Sequence, residues 1–559
     1  MGKSSQQIAA RTSDRRSRSL GGIDFRHPVA FWAGVGAVCV GVLAHLPMYL
    51  ASAGMHYRMV GMSPDAPMLI GMAVIVVGLA AVGYGLVGRP PESATQRTQT
   101  QRLTIRSLDD ARLRPSHVAL ILVMSIAVTI DASKPITLGF VIPGMAKEYG
   151  LGSALKPSGA LPVALLPLFG LGGTLIGSLT WGRLGDLIGR RASILLAGVL
   201  FIATSICGAM PSYEWNFAMC FIMGIGVGGM LPITLTLIAE LLPRRHRGWA
   251  MVMIGGELAL AYVMTSVLAS ALIPTYGWRI LWLLGLPTGA TLIALQRFIP
   301  ESPRFLLLRN RTDEAMVVMR RYGARVVQSD PSEATPASTA SGHRATGLPR
   351  HRRSMAIVLL ALGAGLVTYG FQLWIPTNLQ KLGFTEVTSA GFLRDSALIG
   401  LPVTAVVALL YAFWSARGTI LLLALTTIAA LLGFVAGGDG VVNHRLLLQV
   451  LLTAPIAIIN SLLAAVLAYT VETYPTTIRS TATGFAAGVS KTGGVALTAL
   501  VAAAIAPPSI RNTALLGVIP LVLGTAAILI VRVETSGRSL EDISASPSTA
   551  DGIASRAIP

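Results

Sequence analysis

The sequence has few cysteines and few charges. Only three cysteines occur among 559 residues. Cys39, Cys207 and Cys220 form no Cys-x-x-Cys pair or other metal-ligand spacing, so a redox or metal centre is not expected. Charged residues make up 12% of the chain, against 53% hydrophobic residues. An ordinary soluble domain has about a quarter of its residues charged.

The chain also lacks the alternating pattern of barrel strands, a nucleophile–base constellation and a phosphate-binding loop. It contains instead apolar runs of about twenty residues, the length with which an α-helix crosses the hydrocarbon layer. We therefore predict an all-α polytopic membrane protein that is not an enzyme and holds no cofactor or metal. Fourteen spans are expected, at 29–51, 67–87, 117–141, 160–180, 192–210, 216–238, 249–272, 280–298, 355–378, 395–413, 419–436, 446–470, 481–505 and 512–530.

Acidic residues are scarce beside basic ones, 25 against 44. With the N-terminus in the cytoplasm, 34 lysines and arginines lie on the cytoplasmic side and 8 outside, while Lys134 and Lys491 lie in the membrane. The positive-inside rule accounts for this distribution, and no nucleic-acid partner is expected because the charges form no single patch. We expect a multi-pass plasma-membrane (inner-membrane) protein with both termini cytoplasmic and no cleaved signal peptide.

The chain repeats itself. The pattern Glu-x-x-Pro-x-x-x-Arg occurs in "AELLPRRHRG" (239–248) and, 232 positions later, in "VETYPTTIRS" (471–480). A second pair, "PESPR" and "ETSGR", is separated by 233 positions. Two matches at nearly one offset indicate that 117–298 and 355–530 are two copies of one six-helix unit. Duplicated halves are typical of secondary transporters, which expose a site between the halves to alternate sides of the membrane.

The remaining segments flank the two copies. They are a cytoplasmic tail at 1–28, an extra two-helix hairpin at 29–87, a basic cytoplasmic linker at 88–116, a cytoplasmic inter-half loop at 299–354 and a cytoplasmic tail at 531–559. The hairpin helices have no counterpart in the second copy, so they are an addition. Lateral shielding, contact with a protein partner and contact in a dimer remain open as their role.

The segment "GSLTWGRLGDLIGRR" (177–191) joins the second and third helices of the first copy. It resembles the signature loop of the major facilitator superfamily. A tight hairpin needs glycines for close backbone approach. The resemblance implies that the loop's carboxylate and arginine latch the halves together on the cytoplasmic side; a hairpin that only sets topology is the alternative. The matching residues are Gly182, Arg183, Asp186, Gly189, Arg190 and Arg191.

Four further motifs, "IPESPRFLL", "YGWRILWLLGLP", "VETYPTTIRSTATGF" and "VETSGRSLEDI", resemble the sugar-porter branch and related metabolite:proton symporters. The resemblance implies a cytoplasmic charge network that forms and breaks during transport. Its members would be Glu240, Arg247, Glu301, Arg304, Glu472, Arg479, Glu534 and Arg538. Each could instead be a solvated charge without a gating role, because surface ion pairs are individually weak.

Three departures from these relatives matter. Cys220 occupies a position at which many of them have an arginine for proton coupling. The fifth helix of the first copy lacks the Gly-Pro signature of drug:proton antiporters, which disfavours export. The second copy of the signature loop has shrunk to "FWSARG" with Arg417 as its only charge, so any latch there is weaker.

The segment "VTIDASKPITLGFVIP" (128–143) lines up with the first helix of aromatic-acid:proton symporters, whose pattern is Asp-Gly-x-Asp. Asp131 matches the first Asp, and Lys134 stands where the second is expected. A charge at mid-membrane costs at least about 2.5–3.5 kcal/mol, so both must face the interior. Their spacing of three allows an ion pair. The pair is either structural, or an anionic substrate replaces Asp131 beside Lys134 while a proton neutralises the freed carboxylate.

Other polar residues in the predicted spans complete the candidate substrate and proton-coupling set. They are Glu257, Tyr369, Gln372, Asn378, Asn460 and Lys491. Tyr369 and Gln372 are three apart and are expected to face the same cavity. The leading prediction is a proton-coupled importer of a small organic solute, a carboxylate more than a sugar because two lysines lie in the membrane. A uniporter, an exporter and a non-transporting membrane sensor remain alternatives.

Overall fold

The computed structural model describes residues 22–86, 106–152, 161–324, 350–384, 386–475, 478–503, 509–531 and 534–536. Thirteen helices in this part are long and apolar enough to cross a membrane, and a fourteenth helix contains the apolar stretch Leu398–Phe413. The predicted all-α membrane fold is confirmed, and the number of helices agrees with the fourteen expected spans. The helices are α1 Pro28–Met55, α2 Ala66–Leu86, α3 Pro115–Tyr149, α4 Leu165–Ile188, α5 Arg190–Ala209, α6 Tyr213–Leu241, α7 Arg244–Tyr276, α8 Ile280–Phe298, α9 Arg352–Ile375, α10 Glu386–Phe413, α11 Ala416–Gly437, α12 Leu446–Thr473, α13 Arg479–Ala502 and α14 Ile510–Val531.

Several predicted boundaries were too short. The span expected at 117–141 continues to Tyr149, and the one expected at 160–180 continues to Ile188. An apolar run marks only the hydrocarbon thickness, whereas a helix can continue with polar residues into the headgroup region. The signature segment is therefore mostly the end of α4. The chain reverses only at Gly189, whose φ of 98° lies in the region that favours glycine.

The extra hairpin packs tightly on itself through glycines. A Cβ atom on Gly34 would lie 2.6 Å from the carbonyl oxygen of Gly78, and one on Gly41 would lie 2.7 Å from that of Gly71. Small residues at such spacing let membrane helices approach closely. The hairpin lies against α5, and Met59 N donates a hydrogen bond to Glu148 Oε1 at the end of α3. It is therefore attached to the first half.

The two halves meet along two close contacts. In the first, α4 crosses α13, where a Cβ on Gly182 would lie 2.7 Å from the carbonyl oxygen of Ser480. In the second, α7 packs on α10 and α12, and a Cβ on Gly255 would lie 2.7 Å from the Cβ of Ala464. Glycine is required at both positions because the opposing atoms leave no room for a side chain.

Four of the spanning helices in the described part of the chain, α6, α7, α9 and α12, are irregular near their middles, α6 between Val227 and Met230. A π-helical segment, Leu366–Phe371, interrupts α9, which continues beyond Ile375 to Lys381. A second π segment, Ala454–Ile458, lies in α12. The first segment of helix α7 ends at Gly255, and the helix restarts at Leu258. Such interruptions in transporters occur where the backbone lines a cavity.

Candidate functional site

A central cavity lies between the halves at the level of these irregularities. Helices from both halves line it, and three polar side chains that the sequence singles out are among the lining residues: Asp131 of α3, Tyr369 of α9 and Lys491 of α13. Asn460 of α12 lines it as well. The rest of the wall is apolar, as is usual for sites of small organic ligands.

The Asp131–Lys134 ion pair predicted from the sequence is wrong. Lys134 is buried but does not line the cavity; its Nζ donates to Thr288 Oγ1 of α8 at 2.8 Å and lies 5.6 Å from the ring centre of Phe201. The side chain thus points into the first half. A spacing of three permits a contact on one helix face but does not impose it when a neighbouring helix offers a partner.

Lys491, rather than Lys134, lines the cavity. Its Nζ donates to the carbonyl oxygen of Ala487 at 3.0 Å and lies 5.8 Å from the ring centre of Tyr369. An ammonium carries three donors. Among the described residues, no carboxylate lies within ion-pair distance of Lys491.

Two unsatisfied acceptors belong to residues that line the same cavity as Lys491. The Oδ1 atoms of Asp131 and Asn460 are buried and have no hydrogen-bond partner within the described chain, while Asn460 Nδ2 donates to the carbonyl oxygen of Ile456 at 3.0 Å. A buried polar atom without a partner costs about 1–3 kcal/mol. The cavity therefore holds one cationic donor and two acceptors that a bound solute or water can satisfy.

Tyr369 and Gln372 do not share the cavity as expected. Tyr369 lines it, whereas the half-buried Gln372 lies outside its wall. The π segment that contains Tyr369 changes the number of residues per turn, so the three-residue spacing no longer places both on one face. Asn378 is buried near the end of α9 and also lies outside the cavity wall.

Glu257 lies at the break in α7, next to the cavity-lining Gly255 and Leu258. Its Oε2 accepts a hydrogen bond from Thr129 Oγ1 of α3 at 3.1 Å, and the Ser125 side chain of the same helix also interacts with it. The carboxylate thus meets hydroxyl groups, and it forms no ion pair with any described residue.

A network of buried charges joins the halves on one face of the molecule, defined here by Gly189, Pro243 and Pro475 and named the basic face. Glu240 Oε1 lies 3.4 Å from Arg479 Nη1 and 3.3 Å from Arg190 Nη2. The glutamate of the second copy of the repeated motif pairs in turn with the arginine of the first copy. Glu472 Oε1 lies 3.5 Å from Arg247 Nε, and Arg247 Nη1 lies 3.4 Å from Asp109 Oδ1.

The signature segment contributes direct hydrogen bonds between α4 and α13. Asp186 Oδ2 accepts from the backbone N–H of Thr481 at 3.2 Å and from its hydroxyl at 3.0 Å, while Asp186 Oδ1 lies 3.2 Å from Arg190 Nη2. Thr481 lies in the first turn of α13, where the helix dipole favours a carboxylate. Arg183, by contrast, is exposed on α4.

Glu301 and Glu534 occupy equivalent positions and cap helices of their own halves. Glu301 accepts from the backbone N–H groups of Arg190 and Arg191 at 3.0 and 3.2 Å, at the start of α5. Glu534 accepts from the backbone N–H of Ala416 at 2.9 Å, at the start of α11. These two contacts lie within a half, unlike the pairs that join the halves.

The two caps differ electrostatically. Burial raises the pKa of Glu301 above its ordinary value, and the nearby Arg190 and backbone N–H donors only partly offset this. At Glu534 burial also acts to raise the pKa, but hydrogen bonds from the Ser415 hydroxyl and from backbone N–H groups outweigh it and lower the pKa.

The remaining predicted gating residues are placed as follows. Arg191 Nε donates to Gln296 Oε1 of α8 at 3.1 Å. Arg304 is buried and acts electrostatically on Glu240. Arg538 lies outside the described residues.

The sequence reasoning missed several partners of these charges. Thr288, Thr481 and Tyr411 are hydroxyl residues in or beside spans, and such residues are too common to stand out. Asp109 gave a usable signal, because it and Asp110 form an acidic pair inside a basic segment. A charged pair of that kind in an arginine-rich linker indicates a buried or paired role.

Comparison with known proteins agrees with this architecture. The family model of the Major Facilitator Superfamily matches residues 118–498. The niacin transporter NiaP of Acinetobacter baylyi is 27% identical over 443 residues, covering 76% of this chain and 96% of that protein. The 4-hydroxybenzoate transporter PcaK of the same organism is 26% identical over 420 residues, covering 72% and 88%.

A solved structure shows the same fold. The proton:xylose symporter XylE, bound to 6-bromo-6-deoxy-D-glucose, superposes with a TM-score of 0.63 at 18% identity, covering 76% of this chain and 98% of that one. The family match covers most of the chain, and the duplicated halves, the signature segment and the central cavity agree with it. This chain belongs to the Major Facilitator Superfamily of membrane transporters.

Proposed function

We propose that the protein imports a small organic anion, a monocarboxylate more than a sugar, together with protons across the plasma membrane. The observation that carries this proposal is the placement of Lys491 in a cavity between the halves without a carboxylate at ion-pair distance among the described residues. A cation held in a largely apolar site favours an anionic ligand, since the unpaired charge is costly there.

The rest of the cavity fits such a solute. Tyr369 offers a ring face and the free acceptors of Asp131 and Asn460 offer positions for hydrogen-bond donors. The interior lysines Lys134 and Lys491 and the interior carboxylates Asp131 and Glu257 sum to zero formal charge, and binding one anion with one proton leaves that sum unchanged. Two relatives are named for niacin and 4-hydroxybenzoate, both small aromatic acids, which supports the same class.

The transport cycle follows from the interface. With the basic face assigned to the cytoplasm, the cross-half pairs of Glu240 with Arg479 and of Glu472 with Arg247 close the cytoplasmic path to the cavity. Rocking of one half against the other separates these pairs and opens that path. The anion binds beside Lys491, and a proton on an interior carboxylate keeps the loaded site close to neutral.

Purified protein in sealed vesicles tests the proposal. Radiolabelled nicotinate and 4-hydroxybenzoate are offered beside xylose, with an imposed inward proton gradient and a protonophore control. We expect accumulation of an aromatic acid that the protonophore abolishes. Gradient-independent equilibration would indicate a uniporter, and absence of flux would contradict import.

A pair of lysine variants locates the anion site. Lys491→Gln is expected to raise the half-saturating anion concentration at least about tenfold, the equivalent of one lost charge-assisted contact. Lys134→Gln is the matched control, because it removes an interior ammonium that lies outside the cavity wall. An equal effect of both variants on half-saturation would contradict a direct role of Lys491.

A further inference from the structure

The break in α7 places one carboxylate on the interface between the halves. The helix stops at Gly255 and restarts at Leu258, so Glu257 becomes the residue that precedes the first turn of a 19-residue helix. A Cβ on Gly256 would lie 2.3 Å from Thr404 Cγ2 of α10. The break therefore touches the second half directly, and movement between the halves must displace it.

The surroundings of Glu257 contain donors but no counter-ion. From α3, the Thr129 hydroxyl donates a hydrogen bond to its carboxylate, and the Ser125 side chain also interacts with it. On the second-half side, Thr404 and Ser461 bind each other at 3.1 Å. The interior charges of α3, Asp131 and Lys134, act on each other rather than on Glu257.

The other charged side chains on the neighbouring helices are also engaged elsewhere. The described charged side chains of α10 and α12 are the exposed Asp395 and the basic-face Glu472, which pairs with Arg247. An ionised carboxylate in the membrane interior without a cation is costly. A bound proton removes that cost, whereas two lysines act on the other interior carboxylate, Asp131.

We propose that Glu257 is the group that carries the coupling proton, so that the proton site and the anion site beside Lys491 are two separate places. The chemical step is a reversible protonation. A proton from the water on one side of the membrane binds a carboxylate oxygen of Glu257 and is released to the water on the other side. This inference rests on the proposed function. It assigns Lys491 to the anion and Glu257 to the proton, and leaves Asp131 as an unsatisfied acceptor on the cavity wall.

The assignment separates two measurements on vesicles. The first is exchange of internal unlabelled for external labelled 4-hydroxybenzoate or nicotinate without a gradient, which needs the anion site. The second is accumulation driven by a pH difference of about one unit, which under one-to-one coupling reaches about tenfold. A pH-sensitive dye inside the vesicles records proton entry at the same time.

We expect Glu257→Gln to retain exchange but to lose accumulation and proton entry, so that uptake stops at equal concentrations. Glu214→Gln, an exposed carboxylate at the start of α6, is the matched control and should accumulate like the unmodified protein. Glu257→Asp keeps a carboxylate at the break and should retain accumulation, which also provides a readout if Glu257→Gln fails to fold.

The outcomes are distinct. Proton-driven accumulation by Glu257→Gln would overturn the assignment while leaving the proposed function intact. A loss of accumulation in Glu257→Asp, equal to that in Glu257→Gln, would do the same. Loss of exchange in a folded Glu257→Gln would overturn the separation of the two sites. Absence of exchange by the unmodified protein would instead contradict the proposed function itself.

Discussion

The two copies of the Glu-x-x-Pro-x-x-x-Arg motif make the same contact in opposite directions, but with different support. Each glutamate pairs with the arginine of the other copy, Glu240 with Arg479 and Glu472 with Arg247. Glu240 also pairs with Arg190. Glu472 receives instead a hydrogen bond of 2.9 Å from the Tyr411 hydroxyl, which carries no charge.

The capping glutamates explain this difference. Glu301 binds the backbone N–H of Arg190, and Glu534 binds that of Ala416, so Ala416 occupies the position equivalent to Arg190. Four residues earlier, Ala412 stands in the place of Asp186. Where Asp186 latches onto α13, the second copy has an open cleft lined by Ala412 and two arginines, Arg244 and Arg245. Both copies thus share the Glu–Arg pairing, whereas only the α4–α13 contact has an aspartate bound to the facing helix.

The largest expected effect comes from Glu240→Gln. Removing this carboxylate leaves Arg479 and Arg190 buried with reduced compensation, and breaking a buried pair typically costs about 3–5 kcal/mol. We expect the basic face to open far more often. Glu472→Gln should have a smaller effect, because Arg247 keeps Asp109 as a partner.

Cysteine accessibility measures this opening. Leu463 lines the cavity, and Leu463→Cys in a protein whose three native cysteines are replaced by serine reports access for a water-soluble thiol reagent. Labelling from the basic face in inside-out vesicles should rise more for Glu240→Gln than for Glu472→Gln. The reverse order would contradict the asymmetry.

A smaller effect is expected at the latch itself. Asp186→Asn weakens the two hydrogen bonds to Thr481 and should increase the same labelling moderately, since hydrogen bonds to charged groups contribute about 1.5–3 kcal/mol. Ala412→Asp places a carboxylate in the cleft beside Arg244 and Arg245 and should decrease it. Unchanged labelling in Ala412→Asp would show that the empty position is not what weakens the second contact.

The smallest effect concerns the two caps. The lowered pKa of Glu534 means that its carboxylate stabilises the fold above the ordinary glutamate pKa of about 4.3, and that this contribution disappears as the pH falls through the lower folded value. Glu534→Gln should therefore cost about 1 kcal/mol at pH 7, and progressively less as the pH falls below the ordinary glutamate pKa.

The contribution of Glu301 to stability has the opposite pH dependence. Its raised pKa means that the contribution from titration is present at low pH and is lost as the pH rises through the folded value. Glu301→Gln should thus be tolerated better at pH 7 than Glu534→Gln. Thermal unfolding of both variants in detergent between pH 4 and pH 8 compares them, and equal losses at pH 7 would contradict the difference.

The sequence was sufficient for the fold because its signals are long and redundant. Apolar runs determine the number of spans, and two motif pairs at one offset determine the duplication. It could not show where α7 breaks or where α9 and α12 form π segments. The glycine pair Gly255–Gly256 and Pro455 permit two of these irregularities but do not specify their form, which also depends on neighbours such as Thr404 against Gly256.

The sequence predicted which types of residue belong to the candidate site, but not which of their side chains turn toward the cavity. Composition indicated that interior charges are functional, and Asp131 and Lys491 do meet the same cavity. Which of two lysines turns toward it depends on partners contributed by other helices, such as Thr288. For the same reason, the sequence could not separate Glu301 and Glu534, which cap helices, from the pairs that cross the interface.

The extra hairpin offers a fixed point for observing the moving molecule. The hairpin packs on the α5 surface, Met59 N donates to Glu148, and the Tyr49 hydroxyl donates to the carbonyl oxygen of Tyr276. All of these described anchors belong to the first half. A fluorophore on the exposed Gly61 therefore moves with that half as one body. Energy transfer from it to a second dye on the second half would report the rocking angle in single molecules, without any label in the transport path.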